Sequence, residues 1–250
     1  MMNNNWIQTA EHHQVIDSTS NRAKEILRQN PIPALPMLID ADSQTAARGR
    51  DNHSWWSGSG GIFLTLILDA VPHHLERSHV PQLSLGIGLA VLKTLRRHSP
   101  EQTFHIKWPN DVYLNNRKIA GILIESPSPQ HFVIGVGINT NNTVCDAPAE
   151  IREKITTLRD VLHREIDNHR VTGDFITEVQ RILAFFPNHT ETLVQQVEPH
   201  LLMRHQPVSL TIGGQTVTGT CLGLAPNASL RILTDTGERT FLSGVISYRT

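Results

Sequence analysis

A chain of 250 residues, 39% hydrophobic and 18% charged, can bury a sizeable core, which excludes wholesale disorder. Its formal net charge of −1 removes the whole-chain basic footprint of a nucleic-acid binder, while a local cationic site stays open. Two distant cysteines, Cys145 and Cys221, give neither a disulfide framework nor a zinc knuckle, and the 14 histidines show no metal-ligand spacing.

The first twenty residues lack a charged stretch followed by an apolar one, so no signal peptide is expected. The longest apolar run, Ile62–Leu68, is too short to span a bilayer, and a soluble cytoplasmic protein is the expectation. Ser18-Thr19 reads as the N-terminal cap of a helix running into Arg22–Arg28. Ala34–Asp40 and Ile62–Asp69 read as strands, the second buried on both faces. Gln82–Arg97 places Leu83, Ile87, Ala90, Val91, Thr94 and Leu95 at helical spacing, with Arg96 and Arg97 at the negative end of the dipole.

A strand-rich stretch follows. Phe104–Trp108 leads into Val112–Leu114, and Asn115-Asn116 then sets a tight hairpin to Lys118–Glu125, because asparagine tolerates positive φ. His131–Ile138 reads as one more buried strand. Thr157–Glu165 and Gly173–Phe186 read as helices, the first capped by Thr157. From Pro207 onward, short alternating strands and Gly-Gly, Pro-Asn and Asp-Thr-Gly turns describe a small β-unit. A boundary near Arg204–Gln206 divides the chain into residues 1–204 and 205–250.

Three segments carry the chemistry. The first is Lys107-Trp108-Pro109-Asn110-Asp111 followed by Arg117-Lys118-Ile119-Ala120-Gly121-Ile122-Leu123-Ile124-Glu125. The second is Gln44 to Arg50 (Q-T-A-A-R-G-R) with Trp55, and the third is Gly135-Val136-Gly137-Ile138-Asn139. Taken alone, the arginine loop is a solvated surface loop, Lys118 a hairpin lysine and Asn139 a turn asparagine. The third segment ends a strand without a helix-opening glycine, so it is no dinucleotide fingerprint.

In this order and at these intervals the segments resemble the catalytic domain of biotin–protein ligases, and the resemblance covers nearly the whole chain. It implies an α+β fold: a mixed sheet flanked by helices, of the biotin/lipoate ligase and class II synthetase-like type, with a C-terminal SH3-like β-barrel. It also implies adenylation of biotin by ATP with Mg²⁺, then transfer to a lysine of a biotin carboxyl carrier protein. Joining a carboxylate to the α-phosphate brings two anions together, and their repulsion must be cancelled by fixed cations. Arg48, Arg50, Lys107 and Lys118 are the candidate cations, with Lys118 the best placed for both anions. By resemblance Ser18, Thr19 and Gln44 answer the ureido ring, Gly121 and Ile122 bound the apolar arm, and Arg48-Gly49-Arg50 wraps the activated intermediate. The same resemblance brings Trp55, Asn110, Asn139 and Arg249 to the nucleotide. Asp111 is a candidate to hold Mg²⁺ or to help deprotonate the incoming lysine. No firm protein-only metal site is expected.

Ala47 stands where such ligases usually carry a glycine, and Asp51 and His53 lie in a stretch that is often basic. Both departures put the loop's backbone path and its hold on ligand in question, while the four cations remain. Only about 16 residues precede Asp17, too few for the DNA-binding domain some of these ligases carry, so no nucleic-acid partner is expected. Rival readings are a lipoate or octanoate ligase or transferase, a non-catalytic biotin-binding adaptor, and an RNA-binding tail. Monomer and homodimer stay equally open.

Overall fold

The computed structural model describes residues 5–50 and 53–248. Seven strands form one mixed sheet: β1 (Thr9–Ile16), β2 (Met37–Gln44), β3 (Ile62–Asp69), β4 (Phe104–Lys107), β5 (Asp111–Leu114), β6 (Arg117–Ser128) and β7 (His131–Ile138). Their order across the sheet is β1-β2-β3-β7-β6-β5-β4. The β1–β2 pair is parallel and every other neighbouring pair is antiparallel.

Local chemistry explains most of these elements. The Asn115-Asn116 hairpin forms as expected, with φ of 52° and 58° joining Leu114 to its partner Arg117. Strand β3 (IFLTLILD) is buried along seven of its eight residues, as a run of branched side chains in mid-sheet requires. Strand β2 starts later than expected and runs on to Gln44, which places that amide at the strand's end. The edge strand β1 has no counterpart in the sequence reading, because its half-exposed TAEHHQVI carries few apolar residues.

Helix α1 (Thr19–Ile26) is capped by Ser18 and packs on β2, β3 and β7. Helix α2 (Val80–His98) packs on β4, β5 and β6 and closes with Arg96, Arg97 and His98 in its last turn. Thr157 caps α3 (Leu158–Leu162) by accepting the Asp160 N–H at 3.0 Å. Helix α4 (Asn168–Leu183) begins five residues before Gly173, because Asp167 caps it by accepting the Arg170 N–H. Helix α5 (Thr190–Val197) follows and was not anticipated.

Five further strands, β8 (Pro207–Ile212), β9 (Gln215–Leu224), β10 (Leu230–Thr234), β11 (Gly237–Phe241) and β12 (Val245–Tyr248), build an antiparallel sheet in the order β11-β10-β9-β8-β12. One continuous apolar core runs through both sheets, from Leu64 and Trp108 to Val208, Leu210 and Ile246. Polar contacts stitch the same seam: Leu202 N–H donates to Ile106 O at 2.9 Å, and Leu224 N–H to Glu198 Oε2 at 2.9 Å. Ile246 of the last strand lies in that shared core. Among the described residues no helix is long and apolar enough to cross a membrane.

Candidate active site

The register of the large sheet lines up one row of facing residues. Lys107 pairs with Asp111, Asp111 with Gly121, Gly121 with Gly137, and Gly137 with Phe63. Directly opposed residues project to the same side, so a lysine, a carboxylate and two bare glycines share one face. This face floors a cleft with a cavity volume of about 210 Å³.

Lys118 reaches the same face through a β-bulge. Val112 pairs with Ala120, but the next residue, Tyr113, pairs with Lys118, so Ile119 is the extra residue. Ile119 is buried in the core, and Lys118 is turned into the cleft. Its backbone is fixed on both sides: Lys118 N–H donates to Lys154 O at 2.9 Å, and Thr156 N–H donates to Lys118 O at 3.0 Å. The ammonium meets Asp111 Oδ1 at 2.8 Å and lies 5.3 Å from the Trp55 ring centre.

Trp55 rests on the glycine floor. A Cβ on Gly137 would stand 2.5 Å from the indole, and one on Gly121 would stand 2.9 Å from it. A third glycine, Gly135, makes room for the Ser20 hydroxyl, which a Cβ there would meet at 2.6 Å. The G-V-G segment therefore serves close packing, not a dinucleotide.

The arginine loop folds back as a hairpin over the cleft. Gly49 N–H donates to His53 O at 2.7 Å, and Trp55 N–H donates to Ala47 O at 2.9 Å. Neither Ala47 nor Gly49 has a positive φ, so the alanine costs the loop nothing here. A Cβ on Gly49 would lie a tight 3.3 Å from His53 O, which the hairpin would have to relieve by a small shift. Arg50 Nη1 donates to Asn110 Oδ1 at 3.0 Å, and Asn110 Nδ2 donates to Ile122 O at 2.9 Å. Arg48 is paired with Glu125 at 2.6 Å, and Lys24 of α1 meets the same carboxylate oxygen at 3.2 Å. Asp51 lies outside the described residues.

Opposite the cations stands a polar cluster. Thr65 Oγ1 donates to Thr19 Oγ1 at 2.8 Å, and Thr19 Oγ1 donates to Gln44 Oε1 at 3.2 Å. The Gln44 oxygen also accepts the Thr19 N–H at 2.9 Å, while its amide donates to Ser57 Oγ at 3.2 Å. Ser18 both caps α1 and lines the cleft, so the capping and lining readings coexist.

Burial pushes the Lys107 ammonium below the usual lysine range; Asp111 opposes that shift and Lys118 adds to it. Burial raises the Tyr113 phenol, which faces Lys107. The raised phenol of Tyr113 is neutral beside the lysine.

The cleft thus gathers Ser18, Thr19, Gln44, Arg48, Gly49, Arg50, Trp55, Lys107, Asn110, Asp111, Lys118, Gly121 and Ile122. Asn139 is not among its walls. That side chain is 1% exposed, and its Oδ1 accepts from Asn142 Nδ2 at 3.0 Å, so it organises the turn after β7. Arg249 lies outside the described residues. Thr65, Glu125 and Tyr113 were not anticipated; Gly244, just before β12, and Val245 and Ile246 of β12 also line the cleft. Only Thr65 left a trace in the sequence, as the lone hydroxyl in an apolar run.

Residues 13–139 match the biotin/lipoate A/B protein ligase family, which is half of the chain and most of the cleft. The chain belongs to that family. A solved biotin protein ligase from Aquifex aeolicus, in complex with biotin and ATP, superimposes with a TM-score of 0.85 at 30% identity, covering 97% of this chain and 99% of that one. The biotin–[acetyl-CoA-carboxylase] ligase of Mycobacterium tuberculosis is 31% identical over 82% of this chain and 75% of its own. The Bacillus subtilis bifunctional ligase/repressor BirA is 31% identical over 86% of this chain, which spans 65% of that protein's length. Family membership agrees with the mixed seven-stranded sheet and five-stranded C-terminal sheet, and the ligase fold expected from the sequence is the fold observed.

Proposed function

We propose that this chain is a biotin–protein ligase that adenylates biotin with ATP and passes it to a lysine of a biotin carboxyl carrier protein. One observation carries the reading. Arg48, Arg50, Lys107 and Lys118 converge on a single cleft whose other end presents hydroxyl and amide groups over a glycine floor.

Each part of the cleft has a chemical task in this reading. Thr19, Ser18 and Gln44 pair with the N–H and carbonyl groups of the ureido ring. A buried polar group left unpaired by a wrong ligand costs about 1–3 kcal/mol, which selects the head group. Gly121 and Ile122 bound the apolar arm. Lys118 lies at the junction of the carboxylate and the α-phosphate, where negative charge gathers as the mixed anhydride forms. Arg50, Lys107 and Asn110 hold the phosphates, with Trp55 stacked beside the nucleotide and Arg249 as a further contact. The arginine hairpin shields biotinyl-AMP from water. Residues 1–204 form the catalytic unit and 205–250 a C-terminal unit that completes the cleft with β12.

Asp111 would help hold a magnesium ion bound with the triphosphate, and that ion would supply charge neutralisation. Asp111 is the sole carboxylate among the described lining residues, and no cluster of three or more ligating groups occurs among them. That fits an ion held mainly by phosphates with one protein carboxylate. The same carboxylate stands ready to orient the incoming lysine amine.

The test uses purified protein, ATP, Mg²⁺, an apo carrier domain, and either biotin or lipoate, followed by the mass of the carrier. A biotin-sized gain is expected. A lipoyl gain would assign the chain to the other branch of the family, and no gain with retained biotin binding would make it an adaptor.

A further inference from the structure

We propose that Tyr248 is a positioning residue for Lys107, so that the C-terminal sheet acts on the reaction through one aromatic ring. The inference rests on the reading above, which assigns Lys107 to the phosphates of ATP.

Lys107 ends β4, and its ammonium lies within cation–π reach of two tyrosine rings. The centre of Tyr113 is 5.4 Å away and that of Tyr248 is 5.7 Å away. The rings come from different sheets, Tyr113 from β5 and Tyr248 from β12. Lys107 Nζ also donates to the Tyr113 hydroxyl at 3.4 Å. Among the described residues this is its one hydrogen bond to a side chain.

The charges around Lys107 explain why rings matter. Asp111 attracts it and Lys118 repels it. Asp111, however, already holds Lys118 at 2.8 Å. The remaining partners are the negative faces of two rings, whose attraction for a cation grows as water is excluded. A lysine stem has several rotatable bonds and sets its ammonium loosely unless something fixes it. Two rings on opposite sheets confine it, and a pre-placed cation loses less freedom when phosphate arrives.

The bland alternative is that Tyr248 only packs the end of the small sheet. Its backbone pairs with Val208, and none of the hydrogen bonds among the described residues uses its hydroxyl. Leucine at this position keeps bulk and strand pairing while removing the ring. Phenylalanine keeps the ring.

The experiment compares the full-length wild type with Tyr248→Leu and Tyr248→Phe. Two quantities are measured: biotinyl-AMP synthesis against ATP and biotin, and the rate at which Lys107 takes up an acetyl group from dilute acetic anhydride, read by peptide mass spectrometry. Tyr248→Leu is expected to lower kcat/KM for ATP by about three- to tenfold, leave KM for biotin unchanged, and speed Lys107 acetylation. Tyr248→Phe is expected to match the wild type in all three. A leucine variant indistinguishable from wild type, or a phenylalanine variant equally impaired, would overturn the proposal. So would a loss falling equally on ATP and biotin with a lowered Tm. An inactive wild type whose Lys107 is still unmasked by leucine would instead overturn the enzymatic reading and leave the ring contact standing.

Discussion

Gly121 and Gly137 are direct partners across β6 and β7, and the indole of Trp55 lies against both. Neither glycine has a positive φ, so their value is the absence of a side chain, not backbone freedom. Gly137→Ala puts a methyl 2.5 Å from the indole and must lift the ring and the arginine hairpin attached to it. We expect biotin and nucleotide affinity to fall about tenfold or more, with a small change in Tm, since the hairpin can yield. Isothermal titration and thermal melting check this; an alanine variant with unchanged affinity would remove Trp55 from the site.

Lys118 stands where the two anions meet. Lys118→Ala should slow biotinyl-AMP formation by about a hundredfold or more, the scale for removing one fixed charge partner from a transition state. Folding should survive, because the bulge is held by backbone bonds to Lys154 and Thr156. Single-turnover measurement of the adenylate, with a far-ultraviolet circular dichroism control, separates the two effects.

Lys107 gives the reaction an alkaline limit. Burial lowers its proton affinity, so as pH rises it discharges before an ordinary lysine does. Adenylation needs the charge, and activity should fall as pH passes through that lowered value. Lys107→Arg stays charged throughout and should move the alkaline limb to higher pH. A pH–rate profile of kcat/KM for ATP checks the sign; a limb that does not move would give the titration to another group.

Thr65 acts from behind the site. Its hydroxyl donates to Thr19 and lies 3.2 Å from Ser20 Oγ. Thr65→Val keeps shape and removes the bond. The expected cost is about 0.5–1.5 kcal/mol of stability, measured by urea denaturation, with weaker biotin binding because Thr19 loses its orientation.

Much of this site was legible because its cations sit in short contiguous segments. Lys107 to Asp111 spans one turn, and Asn115-Asn116 announces the hairpin that brings Lys118 back beside it. What stayed hidden depends on packing between distant segments. Nothing in R-K-I-A-G-I marks Ile119 as a bulge, yet that extra residue is what aims Lys118 into the cleft. Tyr248 gains a partner only because the second sheet shares its core with the first. Asn139 was expected at the nucleotide, and in the structure its Oδ1 accepts from Asn142 Nδ2 in the turn after β7. Strand β1 escaped notice because an edge strand needs only one apolar face, and this one is sparse.

The central claim is that four cations gathered in one cleft neutralise two mutually repelling acids. Biotin-dependent exchange of labelled pyrophosphate into ATP measures that step alone, without a carrier. Exchange is expected for the wild-type chain only when biotin is present, and to be nearly abolished in Lys118→Ala. Exchange that ignores biotin, or that survives the loss of Lys118 undiminished, would contradict it.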